Sequence, residues 1–342
     1  MQRQQILVGI VLTAACFACK TVPETKSIGN IERLDPALDS ILSSEARIEI
    51  IAEGFEWSEG PVWIEAQNML LFSDVPKNTV YKWTDEKGAQ PYLSPSGYTG
   101  TQPRGGEMGS NGLLLDDEGN LILCQHGDRR LAMMLAPVAL PKAEFVTIAD
   151  NFNGKRLNSP NDAVFRNYDF YFTDPPYGLE KRMDDSLKEI PFQGVYRAPA
   201  DGGISLLIDT LSRPNGILFS PDGKYLFVAN SDPKKAVWYR YNVVETTSPE
   251  GTIDVTVNSG KIFYDVTSLV GTVKGSPDGM KIDSKGNIFA TGPGGVFIFN
   301  LEGKLLGKIN LPDASSNTAL TGDEKTLFIT NDMYVLRVKM RK

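Results

Sequence analysis

Asn158-Ser159-Pro160-Asn161-Asp162-Ala163-Val164-Phe165, followed by Tyr171-Phe172-Thr173-Asp174, decides the reading of this chain. A polar pair opens it, a short apolar run follows, a turn intervenes, and a second apolar run ends on a small or polar residue. Alone this is a hairpin signal. Its weight comes from recurrence. Glu59-Gly60-Pro61-Val62-Trp63 leads to Leu70-Leu71-Phe72-Ser73-Asp74, and Asn111-Gly112-Leu113-Leu114-Leu115 leads to Leu121-Ile122-Leu123-Cys124. Asn215-Gly216-Ile217-Leu218-Phe219 precedes Tyr225-Leu226-Phe227-Val228-Ala229-Asn230, Asp278-Gly279-Met280-Lys281-Ile282 precedes Asn287-Ile288-Phe289-Ala290-Thr291, and Asn317-Thr318-Ala319-Leu320 precedes Thr326-Leu327-Phe328-Ile329-Thr330-Asn331. Units of roughly 15 residues, most starting roughly 50 residues apart, have the period of a propeller blade. Six inner hairpins predict an all-β, six-bladed β-propeller.

The links between the paired runs fit that plan. Asp116-Asp117-Glu118-Gly119-Asn120, Ser220-Pro221-Asp222-Gly223-Lys224 and Asp283-Ser284-Lys285-Gly286-Asn287 are hairpin turns by composition, each at the same place in its repeat. Third strands are expected at 79–83, 194–197, 236–241 and 295–299, and fourth strands at 143–148, 204–208 and 305–309. The last repeat ends at Val335 to Val338 without a fourth strand, while Arg47-Ile48-Glu49-Ile50-Ile51-Ala52 is spare near the start. An N-terminal strand that completes the last blade closes the ring and covers the open sheet edge.

The first residues differ in kind. A polar start with Arg3 precedes an apolar run, Ile6 to Ala18, too short to span a bilayer. Residues 1–19 therefore read as an export signal, with lipidation expected at Cys19, or less favourably at Cys16. Such a protein is exported to the periplasm or cell envelope and touches a membrane only through its lipid. Residues 20–45, rich in Pro, Ser, Thr and charge as far as Leu42, read as a tether with one short helix near Ile41, and 46–342 as the propeller. Removal of the signal leaves Cys124 as the lone domain cysteine, a small buried group rather than half of a disulfide. The net charge of -7 and the lack of basic runs exclude a general nucleic-acid surface.

In a propeller the innermost strands line a central channel, so equivalent residues of all blades converge at its mouth. Here these are Glu59, Asn111, Asn161, Asn215, Asp278 and Asn317, all with side-chain oxygens. One Asn-Gly is merely a turn; six oxygen-bearing side chains in register point to a site. Carboxylate and amide oxygens are hard ligands that suit Ca²⁺, with Mg²⁺ and Mn²⁺ as alternatives. Zn²⁺ is the least suited, because His126 is the only histidine. No nucleophile elbow, Walker loop or dinucleotide fingerprint is present.

Several segments together make the chain similar to a known family. Ser58-Glu59-Gly60-Pro61-Val62-Trp63, Leu71-Phe72-Ser73-Asp74, Gly154-Lys155-Arg156-Leu157-Asn158-Ser159-Pro160-Asn161-Asp162, Phe172-Thr173-Asp174-Pro175-Pro176-Tyr177-Gly178, Arg213-Pro214-Asn215-Gly216 and Pro277-Asp278-Gly279-Met280 resemble the SMP-30/gluconolactonase/regucalcin-like propellers, within them the bacterial gluconolactonase-like branch. The resemblance runs from about Glu53 to the C-terminus. It implies hydrolysis of sugar lactones or related esters with one divalent cation at the channel mouth, held by Glu59, Asn161, Asn215 and Asp278. At 125 this chain has Gln where the family usually has Glu, which leaves that position without an assigned role.

The mechanism expected from these residues has the cation polarise the lactone carbonyl while Asp278 or His126 takes a proton from the attacking water. Asn111, Arg156 and Asn161 are the candidate substrate contacts. Asp174 and Tyr177 follow an inner strand and read as structural, at the other face or in a loop. Specificity is expected in the loops 94–108 and 182–192. Two other readings share the scaffold: hydrolysis of another ester or a phosphoester, and a non-catalytic propeller that binds a ligand or protein.

Overall fold

The computed structural model describes residues 26–341 apart from 201, 250, 252 and 259. The export signal and the first tether residues lie outside these. Six antiparallel sheets carry the repeats. The first comprises Ser58–Ile64, Met69–Asp74, Thr79–Thr84 and Gly88–Leu93, and the second Ser110–Leu115, Leu121–Gln125, Arg130–Met134 and Phe145–Ala149. Ala163–Arg166, Asp169–Asp174, Gly194–Ala198 and Ser205–Ile208 form the third. In the fourth, the long strand Lys235–Thr247 pairs with Tyr225–Asp232 and with Lys261–Asp265, and its overhang pairs with Ile253–Val257. The fifth has Met280–Ile282 innermost, and the sixth Ser315–Leu320.

The expected closure is present. Ile48–Glu53 pairs antiparallel with Tyr334–Lys339, Ile48 opposite Val338 and Glu53 opposite Tyr334. It supplies the fourth strand that the last blade lacks, so the first and last parts of the chain share one sheet.

Strand alternation explains how the ring holds together. Successive residues face opposite sides of a sheet, and both sides of each blade are apolar here. Leu70 and Phe72 pack toward the sixth blade against Phe328 and Val335, while Leu71 between them packs toward the second blade against Leu113 and Leu123. The pattern repeats around the wheel. Phe172 meets Ile122, Tyr171 meets Val228, Trp238 meets Phe297, and Phe289 meets Ile329, each pair spanning two neighbouring blades. Trp63 stacks on Phe328 with centroids 5.3 Å apart, and Trp83 and Trp238 are buried, as inter-blade positions require. Cys124 is a free, buried thiol in the Leu121–Gln125 strand.

The segment expected to be a tether departs from that expectation. Asn30–Arg33 adds a fifth strand to the fifth blade, pairing with Leu305–Asn310. A short 3₁₀ helix, Pro36–Ser40, follows, with the Asp35 carboxylate accepting from Ala37 N at 2.9 Å. Leu38, Ile41 and Leu42 are buried between the fifth and sixth blades beside Leu306, Ile309 and Val338. The average composition is polar, yet these three residues form one apolar face whose burial outweighs it. Among the described residues no helix is long and apolar enough to cross a membrane.

Candidate active site

The inner strands run in the same direction, so their first residues gather at one mouth of the channel. A cavity of about 290 Å³ there is lined by Glu59, Asn111, Asn161, Asn215 and Asp278, from five different blades. The sixth member of the expected ring, Asn317, does not line it; its Oδ1 accepts from Thr318 N at 2.8 Å, and Ala314 and Ser315 stand at the cavity instead.

The polar groups are arranged in a consistent way. Asn215 Nδ2 donates to Ser231 Oγ at 3.0 Å, and Ser231 Oγ is itself held by the Pro277 carbonyl. Asn161 Nδ2 stands 3.4 Å from His126 Nε2, while its Oδ1 is buried without a hydrogen bond. Each amide thus engages the protein through its nitrogen and leaves its oxygen over. One carboxylate oxygen of Glu59 accepts from Gly60 N at 2.9 Å.

The electrostatics are those of an incomplete site. Burial, then the nearby Asp162 and Glu107, push the Glu59 carboxyl up to about 8. Asp278 is raised well above the usual carboxylate range, first by burial, then by Glu59, Asp162 and Glu107. The Tyr177 hydroxyl is raised too, by burial and by Asp278. Buried like charges disfavour ionisation unless a cation is present. Two carboxylates and two free amide oxygens are hard donors that neutralise a divalent ion, so the donor set fits Ca²⁺-type chemistry. Among the described residues no group of three or more His, Cys, Asp or Glu converges to hold a metal ion, so the donor set depends on the amide oxygens as well as the carboxylates.

The other expected site residues fall in different places. His126 is fully buried and sits behind the cavity wall. Its Nε2 stands 3.4 Å from Asn161 Nδ2, and its Nδ1, buried without a hydrogen bond, lies 3.5 Å from Glu107 Oε2. Arg156 is exposed, its Nη2 donating to the Asp128 carbonyl at 2.8 Å, and is not brought to the cavity. Gln125 holds the loop before its blade through Nε2 to the Ser96 carbonyl at 2.8 Å. Of the two places expected for Tyr177, the other face or a loop, it takes the second, in a turn that lines the cavity. The second strand of a hairpin returns to the mouth where the first began, so the turn after Asp174 delivers Tyr177 to the cavity. Asp174 is at the same end, pinned by Asn158 N and Ser159 N, both at 2.7 Å.

Glu107, Arg182, Arg213 and Trp57 also line the cavity and were not singled out from sequence. Glu107 and Arg182 come from the two loops expected to set specificity. A spacing signal marks others: Trp57, Arg213, Ser276 and Ser315 each stand two residues before the opening residue of a repeat.

A closed six-bladed wheel with oxygen-bearing side chains converging at one mouth defines a class of propeller with a polar cavity at that mouth. Within that class, residues 57–332 match the model of the SMP-30/Gluconolactonase/LRE-like region, and the chain belongs to that family. A gluconolactonase of Zymomonas mobilis subsp. mobilis is 38% identical over 335 residues, covering 96% of this chain and 91% of that protein. The structure of a gluconolactonase from Xanthomonas campestris superposes with a TM-score of 0.75 at 26% identity, covering 93% of this chain and 99% of the other. A calcium-binding regucalcin from Agrobacterium tumefaciens, 16% identical with a TM-score of 0.61, covers 85% of this chain and 94% of its own, and shares the fold.

Proposed function

We propose that this protein is a divalent-cation-dependent hydrolase of sugar lactones. The observation that carries the reading is the set of oxygens at the mouth: Glu59, Asn161, Asn215 and Asp278 come from four blades, and the buried Asn161 Oδ1 has no partner. Similarity to gluconolactonases over nearly the whole chain supports the lactone as substrate.

Glu59, Asn161, Asn215 and Asp278 would hold the cation, which when bound supplies Lewis-acid polarisation of an ester carbonyl. The chain's own groups do the rest. Asn111 and the cavity face of Asn161 orient the sugar hydroxyls. Asp278 accepts a proton from water as its oxygen attacks the carbonyl carbon, and returns that proton to the ring oxygen as the ester bond breaks. The product is an open-chain acid. His126, which does not line the cavity, stands behind Asn161 and Glu107 rather than touching water. Trp57 and Tyr177 wall the site against bulk solvent.

The lipid-anchored, exported location expected from residues 1–19 completes the reading: a periplasmic or cell-envelope lactonase fixed through Cys19, or through Cys16. The central test is a panel of aldonolactones assayed with and without EDTA, followed by add-back of calcium, magnesium, manganese and zinc. Turnover that is lost with the chelator and restored best by calcium is the expected result. Full turnover in EDTA would remove the cation from the reaction.

A further inference from the structure

One charged group at the cavity makes no hydrogen bond or ion pair of its own. Glu59 and Asp278 face the cation that the proposed reading requires. Glu107 Oε1 stands 3.5 Å from Arg182 Nη2. Arg213 also lines the cavity and is partly buried. Every other arginine that is not exposed engages an acceptor, as Arg104, Arg129 and Arg337 do; the Arg213 guanidinium has no hydrogen bond, ion pair or ring contact among the described residues. Its backbone is fixed, N donating to Asn230 Oδ1 at 2.9 Å, and Pro214 leads directly into the strand that carries Asn215. A guanidinium is therefore delivered to the mouth with all its donors unused. Asp232 lies close enough to feel the Arg213 charge but does not bond it, and the planar fork of arginine matches a carboxylate or phosphate in two parallel hydrogen bonds.

We propose that the lactone taken by this site bears an oxyanion of its own, a carboxylate or phosphate on the carbon chain away from the ring carbonyl, and that Arg213 selects it. The inference rests on the lactone-hydrolase reading above. A neutral polyol lactone offers only hydroxyls and leaves the guanidinium fork without a bidentate acceptor. An anionic one fills that fork.

The test compares a neutral gluconolactone, a glucarolactone bearing a carboxylate and a 6-phosphogluconolactone, on the cation-loaded protein and its Arg213→Gln and Arg213→Lys variants. At least one anionic lactone should exceed the neutral one in kcat/KM by about tenfold or more, chiefly through KM. Arg213→Gln should erase that ratio, and Arg213→Lys should keep part of it, since the charge remains without the fork. The carboxylate and phosphate arms identify which oxyanion is taken. Equal kcat/KM for all three lactones, or a ratio that survives Arg213→Gln, overturns the proposal. Calorimetry gives a readout without turnover: the wild-type protein should bind glucarate about tenfold more tightly than gluconate, and Arg213→Gln should bind them alike. Equal affinities in the wild type also overturn it. If no lactone is hydrolysed while the glucarate preference stands and depends on Arg213, the hydrolase reading fails and the selection of an anion by Arg213 is upheld.

Discussion

The two ends of the same inner strands differ in almost every property. At their starts, Glu59, Asn111, Asn161, Asn215 and Asp278 line a cavity of about 290 Å³. Toward their other ends, Val62, Leu114, Val164, Leu218 and Ile282 line a second opening of about 630 Å³, with Asp117, Arg166, Asp222 and Lys281 around them. The apolar side chains of this end are complete in themselves, because they also belong to the inter-blade core. The polar end is incomplete, because it buries carboxylates and amide oxygens whose partners the chain does not provide. One repeat thus holds the wheel together at one end and makes a site at the other. The sharpest way to break this contrast is Asp278→Asn. It should lower kcat by about 10³-fold or more while the fold is kept, since it takes the charge from one proposed cation ligand and removes the proposed proton acceptor together. Wild-type turnover in that variant, at unchanged cation content, would sink the assignment.

The apolar end should respond in the opposite sense. Leu114→Ala, at a buried position between the second and third blades, should cost about 2–5 kcal/mol in urea unfolding and leave cation affinity unchanged. A changed cation affinity would mean that the two ends are coupled. A smaller effect belongs to the cation itself. At a concentration 100 times its Kd, calcium should add about 2.7 kcal/mol of stability, seen as a higher melting temperature that EDTA reverses. Asn161→Ala and Asn215→Ala should each shrink that gain by weakening affinity. A melting temperature indifferent to calcium and EDTA in the wild type would show that the free amide oxygens hold no ion.

The recurrence of one hairpin made the wheel legible, and the missing fourth strand at the end made its closure by Ile48–Glu53 legible too. Ring positions followed from register alone, which is why five of six line the cavity. What register does not determine was missed. Arg156 lies in a motif-bearing segment but on a small outer hairpin, so its neighbours in sequence reach the cavity and it does not. Glu107 and Arg182 arrive on irregular loops, whose paths depend on tertiary contacts such as Arg104 to the Gly127 carbonyl. The docking of Leu38, Ile41 and Leu42 was hidden because window composition averages over an apolar face only three residues wide.

Asp174 and Asp278 are both buried carboxylates at the cavity end, and their comparison gives the subtlest test. Both oxygens of Asp174 are satisfied by backbone N–H groups, and its counterparts Asp74 and Asn230 hold the entry to their own blades in the same way. Burial nevertheless pushes Asp174 up to about 7, less far than burial alone would, because Asn158 N and Ser159 N favour the ionised form. The folded value lies above the ordinary 3.8. Its contribution to stability is therefore complete below about pH 4 and is lost as pH rises through about 7. Asp174→Asn should destabilise by about 1–3 kcal/mol, because an amide NH₂ replaces one acceptor oxygen. It should also flatten the pH dependence, so the urea midpoint of the variant falls less between pH 5 and pH 8 than that of the wild type. Measured in EDTA on both proteins, an equal fall would assign the pH dependence to the cavity carboxylates instead, and would leave Asp174 a purely geometric pin.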